Sequence, residues 1–393
     1  MKIPPFLLDR WLNQYHFADA PPEFDFASST GPHWTLRELF GLVSTDEQAL
    51  LLDTELVYSS ADGSEKLRQA IGEMQGASAE EVQVLTGASE ALLILFCLAA
   101  EPGANVILPF PLFPSTAALA NLFGLETRFY HLRRENDFRV DLDELKKLTD
   151  EKTKLLLVNT PHNPTGATLS DEELRELHDF AVARGVQFVS DEVYHPIYHG
   201  RETSSAASLP HATVLGSFSK ALSLSGLRVG WIIERDRERL RQYTDARGYF
   251  TISNPPLAEK FALVALRHRE AIFARTRKVA TANLNLLDQF FAEHADDLGW
   301  IRPRGGLTSF PWLKRERDAR EFCSALAAKA GMLLVPGDCF QVADHFRLGF
   351  GVTEAGFAKG LERFADFMQA RRTSGGVAAS AKSSSRNATL TSA

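Results

Sequence analysis

Seven short β-rich runs, alternating with helical segments, predict an α/β protein built on a mostly parallel sheet covered on both faces. The runs are VQVLTG, NVILP, ETRFYHL, KLLLVNT, VQFVSDE, TVLGSFS and RVGWII, between about residues 80 and 235. One intervening segment, SDEELRELHDFAVARG, opens on a capping box of Ser170 and Glu173 and ends at Gly185, as a surface helix does. Position supplies a third observation. Gly87, Asn163, Asp191 and Lys220 each follow a strand-like run, and in open α/β sheets ligands bind beyond the carboxyl ends of the strands.

Residues 1–45 read as an arm or lid, because Pro4, Pro5, Pro21, Pro22 and Pro32 interrupt any long helix. Residues 46–280 form the large α/β domain. In it, ALLILFCLAA (Ala91–Ala100) is too short to span a bilayer and reads as a buried helix. The mixed-sign run ERDRERLRQYTDAR (Glu234–Arg247) reads as a solvated helix face. Residues 281–372 mix helix and strand as a smaller α+β domain. Residues 373–393 are rich in Ser, Ala and Gly and are expected to be a disordered tail.

Composition bounds the function. The chain has 393 residues, 45% hydrophobic and 24% charged, as ordinary globular proteins do. A net charge of -7 argues against nucleic-acid and anionic-membrane partners. Cys97, Cys323 and Cys339 are scattered, so neither a disulfide framework nor a metal site is expected. MKIPPFLLDR meets Asp9 and Arg10 before any apolar region develops, which speaks against a secretory signal and for a cytoplasmic protein.

Chemistry concentrates around Lys220. Ser217-Phe-Ser-Lys220 has the S-x-x-K spacing of penicillin-recognising enzymes, but no K-T-G follows and the Ser190-Asp191 pair lies upstream. Walker A, G-x-S-x-G and H-E-x-x-H patterns are absent. A lysine beside Arg228 and partly withdrawn from water has a depressed pKa and can form an imine. Gly87-Ala88-Ser89 opens the apolar helix, where free N–H groups suit a phosphate, with Ser217 and Arg228 to complete the cradle. Asp191 ends an apolar run and can hold a ring nitrogen protonated. Lysine, cradle and buried carboxylate together describe pyridoxal phosphate chemistry.

Further motifs make the chain resemble the class I/II aminotransferase superfamily of fold type I, over roughly residues 55–350. YSSADGSEKLR is similar to that family's Y-x5-G-x3-LR segment, and TGASEA to its phosphate loop. PFPLFP, NTPHNPTG, SDEVY, SFSKALSLSGLRVG and FRLGFG resemble its remaining blocks in the family's order. The resemblance implies pyridoxal 5'-phosphate as cofactor and a seven-stranded sheet. It gives Phe113 to the ring face, Asn163 and Tyr194 to the phenolic oxygen, and Asp191 to the ring nitrogen. Gly87, Ala88, Ser89, Ser217 and Arg228 go to the phosphate, Lys220 to the carbonyl carbon and Arg347 to the substrate carboxylate. Tyr58 is expected to reach the phosphate of a neighbouring subunit, which implies a homodimer with shared sites. Lys220, Asp191 and Tyr194 are the expected catalytic groups.

The arm is the place to look for the reaction type. DFASSTGPHWTLREL departs from the Gly-x-Pro segment usual in aminotransferases. With LLDRWL, PRGGLTSFPWL and LLVPGDCFQ it looks more like the capreomycidine synthase-like subgroup, in which a hydroxylated arginine loses water and its guanidinium closes a ring. That implies dehydration and cyclisation, with transamination to a 2-oxo acid as the alternative. Asp9, His16, Ser28, Ser29 and Asp53 are candidate partners for such a substrate. A non-catalytic cofactor binder is disfavoured, because every chemistry-bearing position is filled. His162 stands where the family usually has asparagine, and the sequence offers no physical account of it.

Overall fold

The computed structural model describes residues 4–352 and 354–387, without the side chains at 354, 355 and 374–387. The expected tail at 373–393 thus falls almost wholly outside the described side chains.

Each of the seven runs forms a strand of one sheet: β1 (Val82–Leu85), β2 (Asn105–Phe110), β3 (Glu126–His131), β4 (Thr153–Asn159), β5 (Gln187–Asp191), β6 (Ala212–Ser217) and β7 (Gly230–Ile233). Their spatial order is β1-β7-β6-β5-β4-β2-β3. All run parallel except β7, which is antiparallel to both β1 and β6. The strands are apolar almost throughout because both faces are covered. Side-chain alternation divides them between two cores. Leu155, Leu157, Val189, Leu215 and Ile232 join the apolar helix Ala88–Ala99 on one side. Leu156, Val158, Phe188, Val214 and Ile233 join Leu174, Leu177 and Phe180 of the helix Asp171–Val182 on the other.

Register brings the strand ends level. Asn159 is paired with Asp191 across β4 and β5, Asp191 with Leu215 across β5 and β6, and Ser217 with Gly230 across β6 and β7. Asparagine, aspartate and the segment leading to Lys220 therefore emerge at one edge.

Beyond the 25-residue helix Arg269–Glu293 lies a three-stranded antiparallel sheet. Its central strand, Phe346–Gly349, runs between Thr308–Ser309 and Val335–Pro336 and carries Arg347. The amino-terminal arm docks on this layer. Phe24–Asp25 pairs in parallel with Met332–Leu333, and Trp11 donates its indole N–H to the Leu334 carbonyl at 2.8 Å. Two glycines let the Ser28–Thr30 backbone of the arm pass close by. A Cβ at Gly349 would fall onto the Ser28 carbonyl, and one at Gly351 onto that of Thr30.

One expectation is corrected. The run Glu234–Arg247 contains a helix, Arg237–Phe250, but it is not simply a solvated face: Glu234, Tyr243 and Arg247 are fully withdrawn from water. Glu234 is stabilised there by the hydroxyls of Thr213 (2.7 Å) and Tyr243 (3.2 Å) and by Arg239 (3.1 Å). Among the described residues no helix is long and apolar enough to cross a membrane.

Candidate active site

Lys220 follows β6 in a tight turn and donates from Nζ to Ser29 Oγ at 2.7 Å. Burial pushes its amine down to about 7; Arg347 and Arg228 add to this and Asp191 opposes it. An amine with that pKa is substantially neutral near pH 7, as a nucleophile or proton acceptor must be.

Asp191 accepts the Val193 N–H at 3.2 Å. A part of it remains exposed, yet burial pushes its carboxyl up to about 7, against the Val193 hydrogen bond and Lys220 and with the help of Glu192. The neighbouring Glu192 is also pushed up to about 7 by burial, although Ser190 and the Ala206 N–H bind it. An enclosed carboxylate without an ion-pair partner among the described residues is matched to a cationic N–H from a ligand.

Asn159, not among the residues expected from the sequence, ties two of the expected groups together. Its amide donates to the Asp191 carbonyl at 2.9 Å and its oxygen accepts the Asn163 N–H at 2.8 Å. The available signal was its place near the end of the run KLLLVNT, as Asp191 follows VQFVS. His162 now has an explanation. Its Nδ1 lies 2.8 Å from Thr165 Oγ1, and burial pushes the ring down to about 3, so a neutral imidazole braces the turn that presents Asn163.

Arg347 is 2% exposed. Nη1 donates to Asn163 Oδ1 at 3.2 Å and Nη2 to the Ala27 carbonyl at 2.8 Å, while Nε has no partner. It lies 5.3 Å from the Phe340 ring centroid and forms no ion pair with a described carboxylate. A guanidinium so placed has spare capacity for an anion. Tyr194 donates its hydroxyl to the Ser29 carbonyl at 3.1 Å, and burial pushes its pKa up to about 12, so it stays a donor.

The expected cradle is assembled by backbone shape. Gly87 (φ 82°) precedes the helix Ala88–Ala99, which begins without a side-chain cap. Gly230 lets β7 approach, since a Cβ there would stand 2.8 Å from the Ala88 nitrogen. Arg228 adopts a left-handed φ of 54° and brings its guanidinium over Gly87. It donates to the Ser225 carbonyl at 3.2 Å and reaches Ser219 Oγ at 3.5 Å. Ser217 Oγ accepts the Ser219 N–H at 3.0 Å, and Ser89 stands exposed at the helix start. Ser219 adds a hydroxyl beside the guanidinium that the sequence analysis did not single out.

The other candidates make the following contacts. Phe113 is half-buried at the start of the helix Pro114–Leu122, with Phe6 of the arm edge-on at 5.8 Å. Tyr58 is 82% exposed. His16 pairs with Asp25 at 3.1 Å, and Asp25 in turn accepts the N–H groups of Ala27 and Ser28. His16 thus supports the arm, and its described contact is with Asp25. Asp9 bonds Asn13, Asp53 ends the helix Thr45–Leu52, and Ser28 bonds Thr30. Of the arm candidates, Ser29 is the one brought against Lys220. Among the described residues no group of three or more His, Cys, Asp or Glu is arranged to hold a metal.

These residues fit pyridoxal 5'-phosphate. A depressed lysine, an enclosed carboxylate lacking a cation and an uncapped helix start under an arginine meet its carbonyl, ring nitrogen and phosphate in turn. The comparisons agree. The model of the family described as aminotransferase class I and II matches residues 38–364. Capreomycidine synthase of Streptomyces vinaceus is 31% identical over 367 residues, covering 91% of this chain and 92% of the relative. An aspartate aminotransferase of Pyrococcus abyssi is 30% identical over 333 residues, covering 79% and 82%. A solved PLP-dependent aminotransferase from Streptococcus suis superposes with a TM-score of 0.88 at 30% identity, and the PLP-dependent cyclase OrfR with 0.85 at 28%. Each covers 94% of this chain and 98% of its own.

Proposed function

Because the chain belongs to the aminotransferase class I and II family and is a pyridoxal-phosphate enzyme of fold type I, we propose that it dehydrates and cyclises a hydroxylated arginine. Lys220 would hold the cofactor's carbonyl carbon, Asp191 its ring nitrogen, Asn163 and Tyr194 its phenolic oxygen, and Phe113 its ring face. Gly87, Ala88, Ser89, Ser217 and Arg228 would hold its phosphate. When bound, the cofactor supplies an electrophilic carbonyl and a ring that takes up the electron pair left at Cα.

The chain's own groups do the rest. Arg347 grips the substrate carboxylate with its spare donors and fixes the orientation of the Cα–H bond. Lys220 Nζ, near neutrality, accepts the Cα proton. Lys220 passes that proton to the hydroxyl on the adjacent carbon, which leaves as water; a guanidine nitrogen then closes onto that carbon, and the proton it gives up returns to Cα through Lys220. The product is lighter than the substrate by one water and keeps its amino group. Ser29 Oγ, bonded to Lys220 Nζ, keeps a hydroxyl at the point where proton and leaving group are exchanged.

The observation that carries this reading over simple transamination is the arm, whose Ser29 joins Lys220 to Tyr194. The match to capreomycidine synthase takes in 91% of the chain, against 79% for the aspartate aminotransferase. Transamination is the second reading, supported by aminotransferase names among the relatives. A homodimer belongs to the same proposal. Leu52, Leu56, Val57 and Tyr58 form an exposed apolar stretch, from which Tyr58 of a second copy would complete the phosphate site. Incubation with hydroxylated arginine and no 2-oxo acid tests the reaction. Loss of one water with the amino group retained supports cyclisation, whereas turnover only with a 2-oxo acid acceptor overturns it for transamination.

A further inference from the structure

Behind the expected phosphate cradle lies a buried polar cluster that no step above uses. Arg247, 0% exposed, donates through Nη2 to Asn254 Oδ1 and through Nη1 to the Ala61 carbonyl. Its Nε lies 3.8 Å from Glu90 Oε1 and 3.4 Å from Thr251 Oγ1. Glu90 accepts the Thr251 hydroxyl on the same oxygen and the Thr86 N–H on the other. Asn254, 1% exposed, donates to the Leu85 carbonyl at 3.1 Å and the Arg228 carbonyl at 3.4 Å.

The placement of these bonds is selective. Leu85 and Thr86 lead directly into Gly87, and Glu90 lies in the first turn of the helix beyond it. Arg228 sits in a left-handed conformation that a non-glycine residue holds only when its surroundings impose it. Asn254 thus bonds the backbone on both sides of the cradle, and Arg247 holds Asn254 from behind. Burying an arginine costs several kcal/mol unless its donors are used. Here they are used on two carbonyl oxygens and a hydroxyl, with one carboxylate, Glu90, close by.

We propose that Arg247 and Asn254 are positioning residues that clamp the Leu85–Gly87 turn and the Arg228 backbone in the geometry that receives the cofactor's phosphate. The proposal rests on the reading of Gly87–Ser89 and Arg228 as that cradle. A preorganised site binds more tightly because the ordering cost is met before the ligand arrives. Loosening the clamp therefore weakens recognition of the phosphate and leaves contacts to the ring intact.

The test compares pyridoxal 5'-phosphate with pyridoxal, which lacks the phosphate, titrated into ligand-free protein and followed by visible absorbance. In Asn254→Ala the Kd for pyridoxal phosphate is expected to rise about tenfold or more, since the three hydrogen bonds that hold the cradle through Asn254 are lost. The Kd for pyridoxal stays unchanged, and the phosphorus resonance of the bound cofactor shifts. Asn254→Ser serves should the alanine variant not fold, and Arg247→Lys should fall between it and wild type. Equal weakening for both ligands, or no change for either, overturns the proposal. Should wild type itself bind the two ligands equally, the cradle reading falls first and this one with it.

Discussion

Two regions of this molecule withdraw an arginine from water, and they treat it differently. Around Arg247, its amino and imino groups meet two carbonyl oxygens, a hydroxyl and a glutamate. Around Arg347, two donors meet neutral oxygens, one nitrogen meets nothing, and no described carboxylate balances the charge. The first arrangement is complete without a ligand. The second is incomplete in the way an anion site must be, because a buried charge kept without a partner has to find one elsewhere. Unspent bonding capacity, rather than burial or charge, is what sets Arg347 apart from Arg247.

Experiments can test this contrast directly. The largest effect belongs to Lys220, on the incomplete side. Lys220→Ala should lower kcat by at least about 10³-fold and abolish the adduct that borohydride fixes between chain and cofactor, read by peptide mass. Next come the two arginines. Arg347→Ala should cut kcat/KM by about 10²-fold or more, since it removes a charge-assisted grip on the carboxylate. The same change should leave thermal stability unchanged or raised, because an unpaired buried charge is removed. Arg247→Met should do the reverse to stability and lower it by about 3–5 kcal/mol in denaturant unfolding, since it strands Glu90. A fall in stability for Arg347→Ala as large as that for Arg247→Met would erase the distinction.

A smaller effect lies in pH. Asp191, raised to about 7 by burial, binds its proton more tightly folded than unfolded. Its contribution is therefore full in acid and lost as pH rises towards 7. Lys220, lowered to about 7, contributes stability that is present in alkali and lost as pH falls through 7. Ligand-free protein should thus carry, from these two groups, a stability minimum near pH 7. In melting curves, Asp191→Asn should flatten the acid side of that minimum and Lys220→Met the alkaline side; profiles identical to wild type would refute it. The smallest change is expected for Ser29→Ala. It leaves the Ser29 carbonyl, which accepts from Tyr194, but removes the hydroxyl beside Lys220, so kcat should fall about 10-fold with KM nearly constant.

The two regions also differ in how far the sequence disclosed them. All seven strands were readable as local β-rich runs. Lys220, Asp191, Asn163 and Arg228 were readable as polar residues following or flanking them, because parallel strands in register carry such residues to one edge. Arg247 and Glu234 were not, since each lies in a mixed-charge run whose burial depends on partners outside it, such as Ala61 and Thr213. Ser29 was visible as a candidate, but its contact with Lys220 spans 191 residues of chain. That contact depends on the close passage that Gly349 and Gly351 allow, which no local pattern encodes.

The docking of the arm has a consequence for biosynthesis. The segment that brings Ser29 to Lys220 is seated on Met332–Leu333, Leu334 and the glycines at 349 and 351, which leave the ribosome long after it. The arm must therefore wait, undocked, for partners such as Leu334, which lies 323 residues further along the chain than Trp11. A nascent or prematurely terminated polypeptide can have its sheet and its lysine in place and still lack a finished catalytic centre.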